Sequence, residues 1–125
     1  MLYIFHGTDE EKSREQVDSI VDSLKQRREY AQVFNVYADT FSQDYVQGIQ
    51  SSSGLFFDKH VFIYRGLLKG VKDTKAFIID NISTFVESPH MHIIIEGVID
   101  ESHLKHIKKY DQAKIKESNT KNFAP

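Results

Sequence analysis

The chain has 125 residues, a length that fits one domain with its own core. Hydrophobic residues make up 40% and charged residues 27%, and the net charge of −2 argues against nucleic-acid binding through overall charge. The sequence has no cysteine, which excludes disulfides and thiolate metal sites. No apolar run approaches the roughly 20 residues of a membrane-spanning helix, and the start MLYIFHG lacks a signal-peptide pattern. We therefore expect a cytoplasmic protein without membrane contact.

Short apolar runs alternate with helical patterns along the chain. The runs predict strands at Leu2–Phe5, Val33–Ala38, Val61–Tyr64, Met91–Glu96 and Gln112–Lys116. Apolar residues at helical spacing predict helices around Val17–Leu24, within Ser42–Gln50, from a cap at Asp73 to Val86, and over Asp100–Tyr110. This order predicts an α/β fold, a doubly wound, mainly five-stranded parallel sheet flanked by helices. Residues 1–117 form the expected single unit, and residues 118–125 an irregular tail.

The first strand–helix turn, FHGTDEEKSRE, is where such a fold can hold a phosphate group. Gly7, Lys12 and Ser13 resemble the two ends of the phosphate-loop pattern G-x-x-x-x-G-K-[ST], but the second glycine is missing and the loop is one residue short. The acids at positions 9–11 would repel an anion. We interpret the turn as a degenerate phosphate loop and as a helix start with a Thr8–Glu11 capping box, so we expect no cofactor.

Other candidate sites are weak. His90 with His92 and His103 with His106 have pairwise spacing but no third ligand, so we expect surface histidines and no metal. No strand carries a pair of magnesium-binding acids, since Val61–Tyr64 is followed by Arg65 and Glu96 stands alone. Nothing in the sequence indicates a catalytic nucleophile.

The C-terminal part of the chain is rich in lysine. Lys105, Lys108 and Lys109 are the candidates for contact with DNA phosphates, and a solvated helix face is the alternative explanation.

The stretch SSSGLFFDKH, residues 51–60, places Leu55, Phe56 and Phe57 directly after a predicted polar turn. Large apolar side chains are mostly buried, so they could belong to the protein's own core. Phe57, next to the predicted strand, is the residue of the three that we most expect to be buried.

Three stretches together resemble the N-terminal domain of the delta subunit of bacterial DNA polymerase III, a clamp-loader subunit. They are YIFHGTDEEKSREQVDSIVDSL, GLFFDKHVFIYRG and HIIIEGVIDESHLKHIKKY, and the resemblance covers residues 1–117. No single motif is strong, but the order and spacing of the three are fairly specific.

The resemblance implies an AAA+ fold, related to P-loop NTPases, with a degenerate phosphate loop and no ATP hydrolysis. It implies that Leu55 and Phe56 bind the DNA sliding clamp (the beta subunit) and help to open it during DNA replication. This domain would then not be an enzyme by itself, although the family belongs to a DNA-directed DNA polymerase holoenzyme. Family members continue into a helical domain and a collar that joins the other clamp-loader subunits, and nothing in the 125 residues resembles either. The alternative is a small nucleotide-binding, P-loop-like domain with phosphoryl-transfer activity that uses Gly7, Lys12 and Ser13.

Overall fold

The structure, a computed structural model, describes residues 1–27, 30–42, 44, 46–48 and 59–120. In this part of the chain the strands are β1 (Leu2–His6), β2 (Tyr30–Tyr37), β3 (Lys59–Arg65), β4 (Met91–Ile95) and β5 (Lys114–Glu117). The helices are α1 (Glu10–Lys25), α2 (Lys72–Asp80), α3 (Ile82–Glu87) and α4 (Glu101–Lys108), with short 3-10 helices at Ala38–Thr40 and Leu67–Lys69. Residues 44 and 46–48 are also helical, as predicted, and the rest of that predicted helix lies outside the described residues.

The five strands form one sheet in the order β2-β3-β4-β1-β5, and all neighbours are parallel. The predicted five-stranded parallel sheet flanked by helices is therefore confirmed. β1 lies between β4 and β5. From β1 the chain crosses to β2 at the edge of the sheet, and the later connections, from β2 through β3 and β4 to β5, run in the reverse direction across the sheet. Because parallel crossovers are right-handed, this reversal places α1 on one face and the later helices on the other.

Each face has its own apolar core. On the α1 face, Val17, Val21 and Leu24 belong to a cluster that also contains the strand residues Phe5, Val61, Ile63, Met91, Ile93 and Ile95. On the other face, helix residues including Phe77, Ile78, Ile82, Phe85 and Ile107 pack with Leu2, Ile4, Phe62, Tyr64 and Ile94. The central strands β3 and β4 are covered on both faces, and for this reason their sequences are continuous apolar runs.

One predicted helix is two helices in the structure. The prediction of a single helix capped at Asp73 is wrong, because α2 begins after Val71 and ends at Asn81. The Asn81 side chain donates a hydrogen bond from Nδ2 to the carbonyl oxygen of Phe77 at 2.7 Å, and the backbone of Asn81 leaves the helical region. Asparagine side chains compete in this way with regular helix bonding, and α3 starts immediately afterwards. Along the described residues, no helix has the length and apolar character needed to cross a bilayer.

Candidate functional site

All five strands end at one edge of the sheet, the edge at which open α/β proteins bind ligands. Two features lie there. One is the turn that joins β1 to α1, residues 7–9, and the other is a pocket next to Glu96, the residue that follows β4.

The β1–α1 turn is closed by residues that follow β5. The Thr8 N–H donates to Oδ1 of Asn119 at 3.0 Å, and the Asp9 N–H donates to the carbonyl oxygen of Ser118 at 2.9 Å. In return, the Thr120 N–H donates to Oγ1 of Thr8 at 2.9 Å. Two amides of the turn that could face a phosphate group therefore already have protein acceptors.

Gly7 fits tightly against the same segment. Its N–H donates to the carbonyl oxygen of Gly97 at 2.8 Å, and its φ of 119° is one that glycine adopts readily and other residues rarely do. A Cβ at this position would overlap the carbonyl oxygen of Ser118. The glycine is thus needed for close approach of two backbone segments of the protein itself.

The predicted Thr8–Glu11 capping box is wrong. Asp9 is the N-cap of α1, and its Oδ1 accepts the Lys12 N–H at 3.1 Å. The physical reason is that the Thr8 hydroxyl is already engaged by Thr120. Asp9 thereby satisfies one of the free amides at the start of α1 and places a carboxylate at the positive end of the helix dipole.

The structure places Gly7, Lys12 and Ser13 in three different surroundings. The Lys12 side chain is exposed, whereas Ser13 is completely buried and its N–H donates to the carbonyl oxygen of Asp9 at 3.1 Å. The Ser13 Oγ has no hydrogen-bond partner among the described residues. These positions are accounted for by the start of α1.

Glu96 is a buried carboxyl group at the end of β4, with 4% of its surface exposed. Its Oε2 accepts the Leu68 N–H at 3.1 Å, and its Oε1 has no partner within the described part of the chain. Burial raises the pKa of Glu96 to about 7, although the Leu68 N–H and the Lys69 ammonium both act in the opposite direction. Such a group changes its protonation state near neutral pH.

A pocket of about 360 Å³ lies beside Glu96 on the α1 face. Its polar lining comes from five parts of the fold: Glu10 and Arg14 of α1, Tyr37 of β2, Arg65 of β3, Lys69 of the segment after β3, and Glu96 of the segment after β4. Cationic side chains thus outnumber carboxylates in the lining. Ligand sites in proteins typically combine a concave shape with a few polar groups that converge on it.

The predicted surface position of His90 and His92 is wrong. Both are buried, and His92 packs between aromatic rings, with its ring centroid 4.5 Å from that of Phe85 and 5.9 Å from that of Tyr64. The Tyr64 hydroxyl and Nδ1 of His92 are 2.9 Å apart. Alternating strand geometry places these rings on one face of the sheet, so they belong to its core.

His103 and His106 lie partly buried on α4. The Nε2 of His106 is 3.3 Å from the carbonyl oxygen of Ile79. Among the described residues, no group of three or more histidine, aspartate or glutamate side chains is arranged to hold a metal ion.

The remaining predicted sites have different outcomes. Lys105, Lys108 and Lys109 are exposed, on α4 and directly after it. Leu55 and Phe56, the predicted anchor, and Phe57 lie outside the described residues. The described residue that follows them is Lys59, which begins β3 at the amino edge of the sheet, opposite the pocket.

Sequence reasoning missed the partners of both features. In the sequence Glu96 is only a single acid after a predicted strand, and Lys69 gives no signal because lysines are mostly exposed whatever their role. The sequence predicts an irregular tail around Asn119, and the only available signal is that asparagine side chains often bond to backbone amides.

A scan against protein-family models gives no match, and a comparison with curated protein sequences gives none either.

Proposed function

We propose that this chain is the N-terminal, AAA+-like domain of a clamp-loader delta subunit, and that it binds the DNA sliding clamp without chemistry of its own. The observation that carries the proposal is the closed β1–α1 turn. It lies where an AAA+ ATPase holds its nucleotide, and in this chain Ser118 and Asn119 occupy its amides. A subunit that works by binding rather than by hydrolysis has this property.

The fold is compatible with the AAA+ part of the proposal. The chain forms a five-stranded parallel sheet in the order β2-β3-β4-β1-β5, flanked by helices, and the β1–α1 turn lies at the carboxyl edge of that sheet. Since one fold serves many functions, the sheet is compatible with the fold relationship, and the sequence resemblance supports the function.

The proposed anchor is Leu55 with Phe56, in the stretch GLFFDKHVFIYRG that continues into β3. Transfer of two such side chains from water to an apolar pocket contributes about 1.5–3 kcal/mol each, before the cost of ordering them. To open the clamp, the domain must bind the open ring more tightly than the closed one, because a ligand shifts an equilibrium only by its difference in affinity. In the complete loader, the other subunits and DNA would be further partners.

The test is titration calorimetry of the chain with the sliding clamp of the same organism. We expect the double substitution Leu55→Ala/Phe56→Ala to abolish binding and to leave the unfolding transition nearly unchanged. The matched control is Val71→Ala/Val98→Ala, which removes two apolar side chains that are 72% and 64% exposed elsewhere on the surface, and which should bind normally. Loss of the fold in the first double variant would place Leu55 and Phe56 in the core and refute the anchor.

The alternative function, a phosphoryl-transfer domain that uses Gly7, Lys12 and Ser13, makes a different prediction. Magnesium-ATP would raise the melting temperature, because a ligand that binds only the folded state stabilises it. Our proposal predicts no such shift.

A further inference from the structure

We propose that the pocket beside Glu96 binds a small molecule through an oxyanion, a phosphoryl or carboxylate group held by Arg14, Arg65 and Lys69. This proposal does not depend on the clamp anchor proposed above. The pocket opens at the carboxyl ends of β2, β3 and β4 and is closed on one side by the first half of α1.

The cations reach the pocket from three different elements. Arg14 lies on α1, Arg65 ends β3, and Lys69 lies in the 3-10 helix that follows β3. The Arg65 Nε donates to Oδ1 of Asn35 at 3.0 Å, a contact that positions the guanidinium group while its terminal N–H groups are not used by that bond. Arginine and lysine held on separate rigid elements are the usual means by which proteins bind phosphoryl and carboxylate groups.

The absence of a side chain at Gly97 leaves room for the ammonium group of Lys69 in the pocket lining. A Cβ on Gly97 would meet Nζ of Lys69 and would lie 3.1 Å from Oε1 of Glu10. The missing side chain therefore leaves space in which the Lys69 ammonium lies near a carboxylate. An anion that enters the pocket would share Lys69 with Glu10, whose side chain is exposed.

Glu96 makes the charge of the lining depend on pH. Its Oε2 accepts the Leu68 N–H, and its Oε1 is buried without a partner among the described residues. Protonation of Glu96 removes a negative charge from the lining and thereby favours an anion held by the three cationic side chains.

The pocket is not the site at which a phosphate loop would hold a nucleoside triphosphate. The glycine and the amides of the β1–α1 turn are not part of its lining, and they already have protein partners. The ligand is therefore expected to be a small anion rather than ATP.

The experiment is a titration of the whole chain with sulfate, a tetrahedral dianion, and with succinate, a dicarboxylate, followed by NMR chemical shifts. Saturable shifts at Gly97 and Lys69 are expected, and the tighter of the two anions identifies the phosphoryl-like or the carboxylate class. Lys69→Met and Arg65→Met should each weaken binding by about tenfold or more. Lys72→Met removes an exposed lysine that does not line the pocket and should leave binding unchanged.

The pH dependence of sulfate binding in Glu96→Gln tests whether Glu96 affects the anion, because a purely structural role of Glu96 would not change that dependence. The amide is uncharged at every pH, so the variant should bind sulfate equally on both sides of pH 7, whereas the wild type should bind less tightly on the alkaline side, where Glu96 is ionised. Absence of saturable binding by either anion would overturn the proposal, as would binding that survives Lys69→Met and Arg65→Met. Binding that is lost in Lys12→Met instead would assign the anion to the β1–α1 turn.

Discussion

The Oδ1 atom of Asn119 accepts the backbone N–H of Thr8 at 3.0 Å, across 111 residues of sequence. This bond joins the segment after β5 to the turn after β1, and the Asp9 N–H bond to Ser118 reinforces it. The turn therefore connects two distant parts of the chain and contributes to the stability of the fold.

Asn119→Ala should lower the free energy of unfolding by about 0.5–1.5 kcal/mol, because the Thr8 amide loses its acceptor at an exposed position where water replaces it in part. Urea denaturation measures the change. Gln112→Ala, which shortens an exposed amide side chain in the same part of the chain, is the control and should have an effect close to zero.

Gly7→Ala should destabilise the protein by more than about 2 kcal/mol, because it combines a positive φ with an overlap against Ser118. The comparison is Gly48→Ala, in a helical residue where a Cβ meets nothing within 4 Å. Alanine there should stabilise the protein by up to about 1 kcal/mol. If Gly7→Ala were tolerated as well as Gly48→Ala, the close approach of Gly7 to Ser118 described here would be contradicted.

Glu96 should make the protein more stable in acid. Its folded-state pKa is about 7 and its ordinary value 4.5, so between these values the folded state holds a proton that the unfolded state has lost. Stability therefore falls as pH rises from 4.5 to about 7, by an amount on the order of 3 kcal/mol at about 1.4 kcal/mol per pH unit.

Glu96→Gln should remove this dependence and should be more stable than the wild type above pH 7, as measured by urea denaturation across the pH range. Glu87→Gln, at the exposed end of α3, is the matched control and should follow the wild-type curve. A wild-type curve that stayed parallel to the Glu96→Gln curve would contradict the buried, proton-binding carboxyl.

The titration of His92 should make the protein less stable in acid, whereas that of Glu96 should make it more stable. Burial, together with the charge of the N-terminal amine and of His90, holds the pKa of His92 well below its ordinary value of 6.5. The unfolded state then takes up a proton before the folded state does, so stability is lost as pH falls below 6.5. His92→Phe keeps a ring stacked on Phe85 and should lose less stability on acidification than the wild type or His103→Gln.

The sheet was predictable because its strands are short apolar runs separated by strong helical patterns. Continuous apolar runs such as VFIY and MHIII are typical of strands that are covered on both faces of a parallel sheet. The strand order was not predictable, since apolar runs alone do not say that β1 lies between β4 and β5.

The candidate site was less predictable for a related reason. Local patterns identified the unusual acids after Gly7 but assigned the cap to Thr8, because the competing partner Thr120 lies 112 residues away. In the same way, only the folded chain brings Lys69 and Glu10 to Gly97. The anchor residues Leu55 and Phe56 remain a prediction from the sequence resemblance.

The central claim, that this is a clamp-binding domain without nucleotide chemistry, is tested most directly by titrating the sliding clamp with the wild-type chain in the presence and absence of magnesium-ATP. The account predicts saturable binding with the same affinity in both conditions, since the β1–α1 turn has no free amides for a nucleotide. Failure of the folded chain to bind the clamp, or binding that requires ATP, would contradict it.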